Sequence, residues 1–147
     1  MTKRILLVAA ASLSLLAGAA VAHAATKHKA TFTSDAHVLR SANNVTTWTG
    51  TVDGKLGHGA VVLTTMPAGD HFEFAARALF PNGSIRVTGT DTAAQNPDGT
   101  FTFTGKLTVK SGTGRFKGAK GSATLSGATT AEDPARALYT ITGTLTY

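Results

Sequence analysis

The chain contains no cysteine among its 147 residues, which excludes a disulfide scaffold and any chemistry that depends on a thiolate. Apolar residues with a helical period are scarce, so a helical bundle is disfavoured. No Gly-x-Ser-x-Gly elbow is present, and no glycine-rich segment ends in Gly-Lys-Ser/Thr. Serine hydrolases of that type and phosphate-binding loops are therefore unsupported.

The first 24 residues have the features of a secretory signal peptide. Lys3 and Arg4 precede an apolar run over 5–21, and Ala22-His23-Ala24 supplies an Ala-x-Ala cleavage pattern. We expect cleavage between Ala24 and Ala25, which predicts a secreted or periplasmic protein without a membrane span after cleavage. The alternative is an uncleaved membrane anchor, although the run is short for a spanning helix.

The charge of the chain is positive but moderate. The net charge of +6 falls to +4 when Lys3 and Arg4 are removed. The remaining cations are spread along the chain and are not interleaved with aromatic residues, as a nucleic-acid-binding surface would require. We therefore expect no nucleic-acid partner, and we interpret the charge as favouring solubility and attraction to anionic cell surfaces.

Threonine, glycine and alternating apolar residues dominate the rest of the chain, and this period of two predicts β-strands. Turn sequences separate the strands, and Pro81-Asn82-Gly83 is the strongest hairpin signal. Residues 25–29 are expected to be a flexible N-terminus, and 30–147 a single β-domain. The eight predicted strands are about Ala30–Leu39, Val45–Val52, His58–Met66, His71–Phe80, Ser84–Asp91, Thr100–Val109, Ser122–Ala128 and Ala137–Tyr147.

Each strand has one apolar face and one face rich in threonine, which is typical of antiparallel sheets with one hydrated side. Eight such strands with short loops predict a closed antiparallel barrel, which leaves no exposed edges. Its interior would be filled by side chains or would hold one small ligand. A two-sheet sandwich fits the same alternation nearly as well.

The segment Gly112–Gly121 is the most distinctive part of the sequence, with four glycines, three cations and one phenylalanine in ten residues. We interpret it as a compact turn between two strands, in which Phe116 closes one end of the barrel while Arg115 and Lys117 point to solvent. The residues that define this structural turn are Gly112, Gly114, Phe116, Gly118 and Gly121.

This turn, followed by Ser122-Ala-Thr-Leu-Ser-Gly127 and the final Thr/Gly/Tyr strand, resembles the allene oxide cyclase and dirigent superfamily. The nearest likeness is to small exported bacterial proteins with a barrel of that type. The resemblance implies an eight-stranded, calycin-type antiparallel barrel with an apolar cavity that works without a metal or cofactor. It also implies that a homo-oligomer is possible, for which Leu79 and Leu138 on the outer face are the only hints.

The plant members' acidic and amide catalytic positions have no counterpart that aligns here. The candidate catalytic residues are His71, Glu73 and Arg77, which share one face of a strand and together could polarise a carbonyl or epoxide. The same alternation places them opposite the phenylalanines of that strand. We therefore expect a solvated outer row, and an inverted register would make these residues the leading candidates.

Histidines at 28, 37, 58 and 71 suggest no metal site, because no pair has helical spacing and no third carboxylate is evident.

The aromatic residues are either core or the lining of a pocket for a flat or apolar ligand. Those that we assign to ligand binding are Trp48, Phe72, Phe74, Phe101, Phe103 and Tyr139; Phe32 is a further aromatic whose facing the alternation leaves uncertain.

Three functions are compatible with these observations. The leading hypothesis is an exported barrel that holds a small hydrophobic molecule. The second is a cyclase or isomerase that needs no cofactor and acts on an apolar substrate by positioning it. The third is a structural or surface-adhesive protein with a filled barrel. A cavity would separate the first two from the third, and an ionisable group in that cavity would favour an enzyme.

Overall fold

The computed structural model describes residues 25–147, so the predicted signal peptide lies outside the described residues. Eight β-strands and one short 3₁₀ turn follow one another along the chain. The strands are β1 (Lys27–Ala42), β2 (Val45–Gly54), β3 (Gly57–Ala68), β4 (His71–Phe80), β5 (Gly83–Gln95), β6 (Phe101–Gly112), β7 (Lys120–Thr129) and β8 (Arg136–Thr146), and the 3₁₀ turn is Gly114–Phe116.

The strands form a closed antiparallel barrel. Each strand pairs with the next one in sequence, and β8 pairs with β1 to complete the circle. In this closing ladder Ser34 lies opposite Tyr139, and Phe32 lies opposite Ile141. Because β1 and β8 pair along eleven positions, no sheet edge is left open. The predicted eight-stranded barrel is confirmed, and the sandwich alternative is wrong.

The first strand begins earlier than the alternation predicts. Residues 27–29, expected to be part of a flexible N-terminus, are strand residues paired with 144–146 of β8. The ring of His28 also stacks on that of Tyr147, with centroids 4.7 Å apart. The physical reason is barrel closure, since the backbone groups at the end of β8 need a neighbour. Sequence alternation carries no information about this pairing.

The barrel interior contains the apolar face of each strand, as expected. In β4, Phe74 and Phe80 are buried while Glu73 and Ala75 are exposed. In β8, Tyr139 and Leu145 are buried while the intervening threonines at 140, 142 and 144 are half-buried or exposed. On the outer face, Leu79 and Leu138 are 39% and 46% exposed, as the alternation predicts.

The two ends of the barrel differ in how they are closed. At one end, which we call the plugged end, the chain makes the turns at 55–56, 81–82 and 113–119. At the other, the acidic end, it makes the turns at 43–44, 69–70, 96–100 and 130–135. The plug is Phe116, which has no solvent exposure and packs against Phe80 and Tyr147 at centroid distances of 5.4 and 5.1 Å.

Glycine makes the turn around Phe116 possible. Gly114 and Gly118 have positive φ angles of 57° and 79°, which side chains with a Cβ adopt at a cost. A Cβ on Gly112 would lie 2.0 Å from the carbonyl oxygen of Phe116, so only glycine allows this approach. The prediction that Phe116 closes one end of the barrel agrees with its burial here.

Arg115 differs in detail from its expected orientation towards solvent. The residue is exposed, but its guanidinium donates a hydrogen bond to the Tyr147 hydroxyl at 3.1 Å. It also lies 5.7 Å from the Phe116 ring centroid and 5.6 Å from that of Tyr147. Arg115 therefore covers the plug from outside.

Over the described residues, no helix has the length and apolar character needed to span a membrane.

Candidate ligand-binding site

The barrel interior contains an apolar cavity beneath the plug. Its volume is about 110 Å³. The apolar walls come from all eight strands, and the residues nearest the plug include Val52, Phe80, Ile85 and Leu145. An apolar cavity of roughly 150 Å³ is known to take up benzene, so this space suits a body of about that size. We call it the deep lobe.

A second lobe of about 60 Å³ lies next to the deep lobe, towards the acidic end. The two lobes share six wall residues, so they are adjacent parts of one interior. The shared residues are Ser34, Val61, Ala76, Val87, Leu107 and Ile141. The second lobe adds Phe74, Asp91 and Tyr139, and we call it the polar lobe.

Three polar side chains face the polar lobe, and each is more than nine-tenths buried. Asp91 is 7% exposed, Ser34 8% and Tyr139 9%. Within the described part of the chain, the Asp91 carboxylate, the Ser34 hydroxyl and the Tyr139 hydroxyl make no hydrogen bond and no ion pair. Buried polar groups are normally paired inside the protein. Among the described residues no fully buried side-chain nitrogen or oxygen lacks a partner, so these three oxygens keep some contact with the open space of the lobe, where water or a ligand can pair with them.

The surroundings shift both ionisable groups towards their protonated forms. Burial raises the pKa of the Asp91 carboxyl above its usual range, because the charged form loses its hydration. Burial also raises the pKa of the Tyr139 phenol, and the nearby negative charge of Asp91 adds to that effect. At neutral pH, Tyr139 is therefore a hydrogen-bond donor and Asp91 is the group that most needs a partner.

Two glycines keep space around these groups. A Cβ on Gly105, which lies opposite Asp91 on β6, would be 2.7 Å from the Asp91 Cβ. A Cβ on Gly127 would be 2.5 Å from the ring of Tyr139, which it faces across β7 and β8. A side chain at either position would therefore displace Asp91 or the Tyr139 ring from its place at the lobe.

The aromatic residues assigned to ligand binding all lie in the half of the barrel that contains the polar lobe. Phe74 and Tyr139 line the lobe itself. Phe103 packs on Tyr139 with centroids 5.7 Å apart, and Trp48 belongs to the same apolar cluster. The other two are nearer the rim: Phe72 is half-buried opposite Asp91, and Phe101 is 37% exposed at the start of β6.

His71, Glu73 and Arg77 lie outside the barrel, in the outer row that the alternation predicts. Glu73 and Arg77 are exposed, and His71 is half-buried. The Nδ1 atom of His71 is 3.0 Å from an Asp70 carboxylate oxygen, also at the surface. The register is not inverted, so these residues have no access to the cavity. The described residues contain no group of three or more histidine, cysteine, aspartate or glutamate side chains that could hold a metal ion.

Asp91 is an interior residue that the predicted site does not include, although the alternation of β5 places it on the inner face. It follows Ile85, Val87 and Gly89 on the apolar face of β5, at the period of two that the other strands obey. That period places a carboxylate inside the barrel. The predicted strand ends at Asp91, whereas β5 continues to Gln95.

Charge is divided between the two ends of the barrel. Nine cations and one acid, Asp53, lie in the half with the plug; these cations are Lys27, Lys29, Lys55, Arg77, Arg86, Lys110, Arg115, Lys117 and Lys120. Seven acids and two cations, Arg40 and Arg136, lie in the other half, and a further cation, Lys106, lies near the middle of β6; these acids are Asp35, Asp70, Glu73, Asp91, Asp98, Glu132 and Asp133. The polar lobe therefore lies in the negative half of an overall positive protein.

Comparison of the chain with protein-family models, with curated proteins and with solved structures finds no match.

Proposed function

We propose that the protein binds one small, mainly apolar molecule inside its barrel, and that it does so outside the cytoplasm after removal of the predicted signal peptide. The observation that carries this proposal is the two-lobed cavity, of which the deep lobe has an almost wholly apolar lining. An apolar body that enters an apolar cavity gains dispersion contacts with its walls. The cavity volume limits the ligand to about the size of a substituted benzene ring.

Membership of the allene oxide cyclase and dirigent superfamily stays a prediction. The closed eight-stranded barrel and the glycine-rich turn around Phe116 support it. A homo-oligomer, for which Leu79 and Leu138 are the candidate contacts, also stays a prediction.

The second candidate function is a cofactor-independent cyclase or isomerase. The specific observation in its favour is Asp91, whose carboxyl has a raised pKa beside an apolar cavity. A carboxyl whose pKa is raised by burial is a group that enzymes use as a general acid or base. Tyr139 would then be the second polar group in contact with a substrate. Activity would require turnover of a bound compound, whereas a carrier would release it unchanged.

Binding can be followed with the single tryptophan of the chain. The ring of Trp48 packs against the apolar cluster that surrounds the polar lobe, and its Nε1–H donates to Thr65 Oγ1 at 3.4 Å. Native mass spectrometry of the purified protein identifies any retained compound, and titration with benzyl alcohol monitored by Trp48 fluorescence and calorimetry measures uptake.

Two leucine substitutions on β4 form a matched pair for this experiment. Ala76→Leu fills a wall position that both lobes share, whereas Ala75→Leu adds the same atoms to the exposed outer face. We expect uptake by the unmodified protein and by Ala75→Leu, and loss of uptake in Ala76→Leu. No uptake by the unmodified protein would instead support a structural protein with a filled barrel, and conversion of a retained compound would support the enzyme.

A further inference from the structure

The interior shows more about its ligand than apolar character, because it combines a buried carboxylate with aromatic rings. Asp91 is 7% exposed and unpaired among the described residues, and it faces the same small space as Phe74 and Tyr139. Phe72 is its direct neighbour across the β4–β5 ladder, on the same side of the sheet. A carboxylate beside ring faces is the arrangement by which proteins recognise organic cations.

The chain supplies no cation of its own to Asp91. Its residues that share the polar lobe are apolar apart from Ser34 and Tyr139, neither of which carries a positive charge at neutral pH. The cations of the described chain lie on the outer face or in turns, and most lie in the half with the plug. A buried carboxylate costs free energy until it is paired or protonated. A ligand that brings a positive charge removes this cost, whereas a neutral ligand does not.

The position of the lobes agrees with one orientation of such a ligand. The deep lobe beneath the plug is apolar, and the polar lobe lies between it and the acidic end. The turns around that end carry Asp70, Asp98, Glu132 and Asp133. Clefts with charge of one sign raise the local concentration of oppositely charged solutes and speed their association. Entry from the acidic end places an apolar body in the deep lobe and a cationic group at Asp91.

From this arrangement we propose that the barrel ligand is a small apolar amine, whose ammonium group pairs with the Asp91 carboxylate among the rings of Phe74 and Tyr139 while its apolar body fills the deep lobe. The inference rests on the proposed function and adds the chemical class of the ligand to it. Ser34 and Tyr139 supply further hydrogen-bonding oxygens at the same lobe, so an ammonium group has several acceptors within one space.

The test compares benzylamine with benzyl alcohol at pH 7, since the two differ in the charge of one group of similar size. Affinities are measured by calorimetry and by Trp48 fluorescence on the purified protein. We expect benzylamine to bind at least about tenfold more tightly than benzyl alcohol, as a charge-assisted pair is stronger than a neutral hydrogen bond. In Asp91→Asn we expect this preference to disappear, because benzylamine loses its charged partner and its affinity falls by at least about tenfold.

A matched control separates pairing at Asp91 from the general charge of the acidic end. Glu132→Gln removes one negative charge from an exposed turn at that end and should change the benzylamine affinity by less than about twofold. Cooperative thermal unfolding of Asp91→Asn, followed by circular dichroism, shows that the variant has folded.

The outcomes separate the two proposals. Equal affinity for the two compounds in the unmodified protein, or an amine preference that survives Asp91→Asn, would overturn the amine assignment and leave the binding function standing. Failure of both compounds to bind would overturn both. Tighter binding of benzyl alcohol than of benzylamine would assign to Asp91 a neutral, protonated role instead.

Discussion

The two ends of this barrel use aromatic residues for different purposes. At the plugged end, Phe116 is wholly buried, touches Phe80 and Tyr147, and is covered by Arg115. At the acidic end, Trp48 and Phe103 are half-buried and pack on the cluster that contains Phe74 and Tyr139. Phe72 is also half-buried and lies opposite Asp91 on the β4–β5 ladder.

The plugged end buries the rings of Phe116 and Phe80 within the chain, and this burial stabilises the fold. The other end leaves rings partly exposed and a carboxylate without a partner, which costs stability and provides a place for a ligand. In the proposed function, one barrel therefore has its structural core and its ligand site at opposite ends of the same strands.

The largest expected effect tests the plug. Phe116→Ala removes a fully buried ring with no solvent exposure, and we expect it to lower the free energy of unfolding by about 3–5 kcal/mol. Lys117→Ala, at the exposed neighbouring position, should change it by less than about 0.5 kcal/mol. Guanidinium unfolding followed by circular dichroism measures both. Small and equal effects would mean that Phe116 does not hold this end together.

Asp91→Asn should stabilise the ligand-free protein by on the order of 1–3 kcal/mol at neutral pH, because it removes an unpaired buried charge. The folded-state pKa of Asp91 lies above its unfolded value, so the folded state binds the proton more tightly. The unmodified protein should therefore lose stability as pH rises through the window between the two pKa values.

Tyr139 shares the lobe but stays protonated across that window, since its own pKa is raised. Unfolding free energies of the two proteins measured from acid to neutral pH should converge at low pH and separate above the window. A constant difference at all pH values would show that Asp91 is not a buried, ionising group.

Phe103→Ala tests whether a half-buried ring at the acidic end stabilises the fold less than the plug does. Its ring is half-buried and contacts Tyr139, so less apolar area is lost than at Phe116. We expect a cost of about 1–2 kcal/mol in unfolding free energy, together with weaker ligand binding. A cost as large as that of Phe116→Ala would remove the distinction between a structural end and a binding end.

The smallest expected effect concerns the ion pair across the closing ladder. Arg136 donates two hydrogen bonds to Asp35, at 2.9 and 2.6 Å, and this pairing lowers the pKa of the Asp35 carboxyl. Both side chains are more than a third exposed, so Arg136→Met should cost less than about 1 kcal/mol.

This contribution is present above the unfolded pKa of Asp35 and is lost as pH falls through its lowered folded-state pKa. Thermal unfolding of both proteins over an acid series measures the difference. A loss as large as that at Phe116, or one that persists in acid below both pKa values, would contradict a partly exposed, charge-dependent pair.

Much of the fold follows from local sequence. The alternation of Phe72, Phe74 and Phe80 with His71, Glu73 and Arg77 predicted the inner and outer faces of β4, because side chains of a strand alternate between faces. The glycines near Phe116 predicted a tight turn around a buried ring. The start of β1 was predicted less well, since Lys27 and His28 are in a strand only because β8 pairs with them.

The candidate site depended more on tertiary structure. The sequence by itself determined the strands, their faces and the aromatic composition of the interior, because these depend on backbone period and hydrophobicity. Tertiary structure decided that β8 closes on β1, which brings Tyr139 and Ser34 side by side and places both on the lobe that Asp91 faces. It also placed most of the acids at one end and most of the cations at the other, since neighbouring turns along the chain alternate between ends. Residues from β1, β5 and β8 meet only when the barrel closes, and no local pattern encodes that meeting.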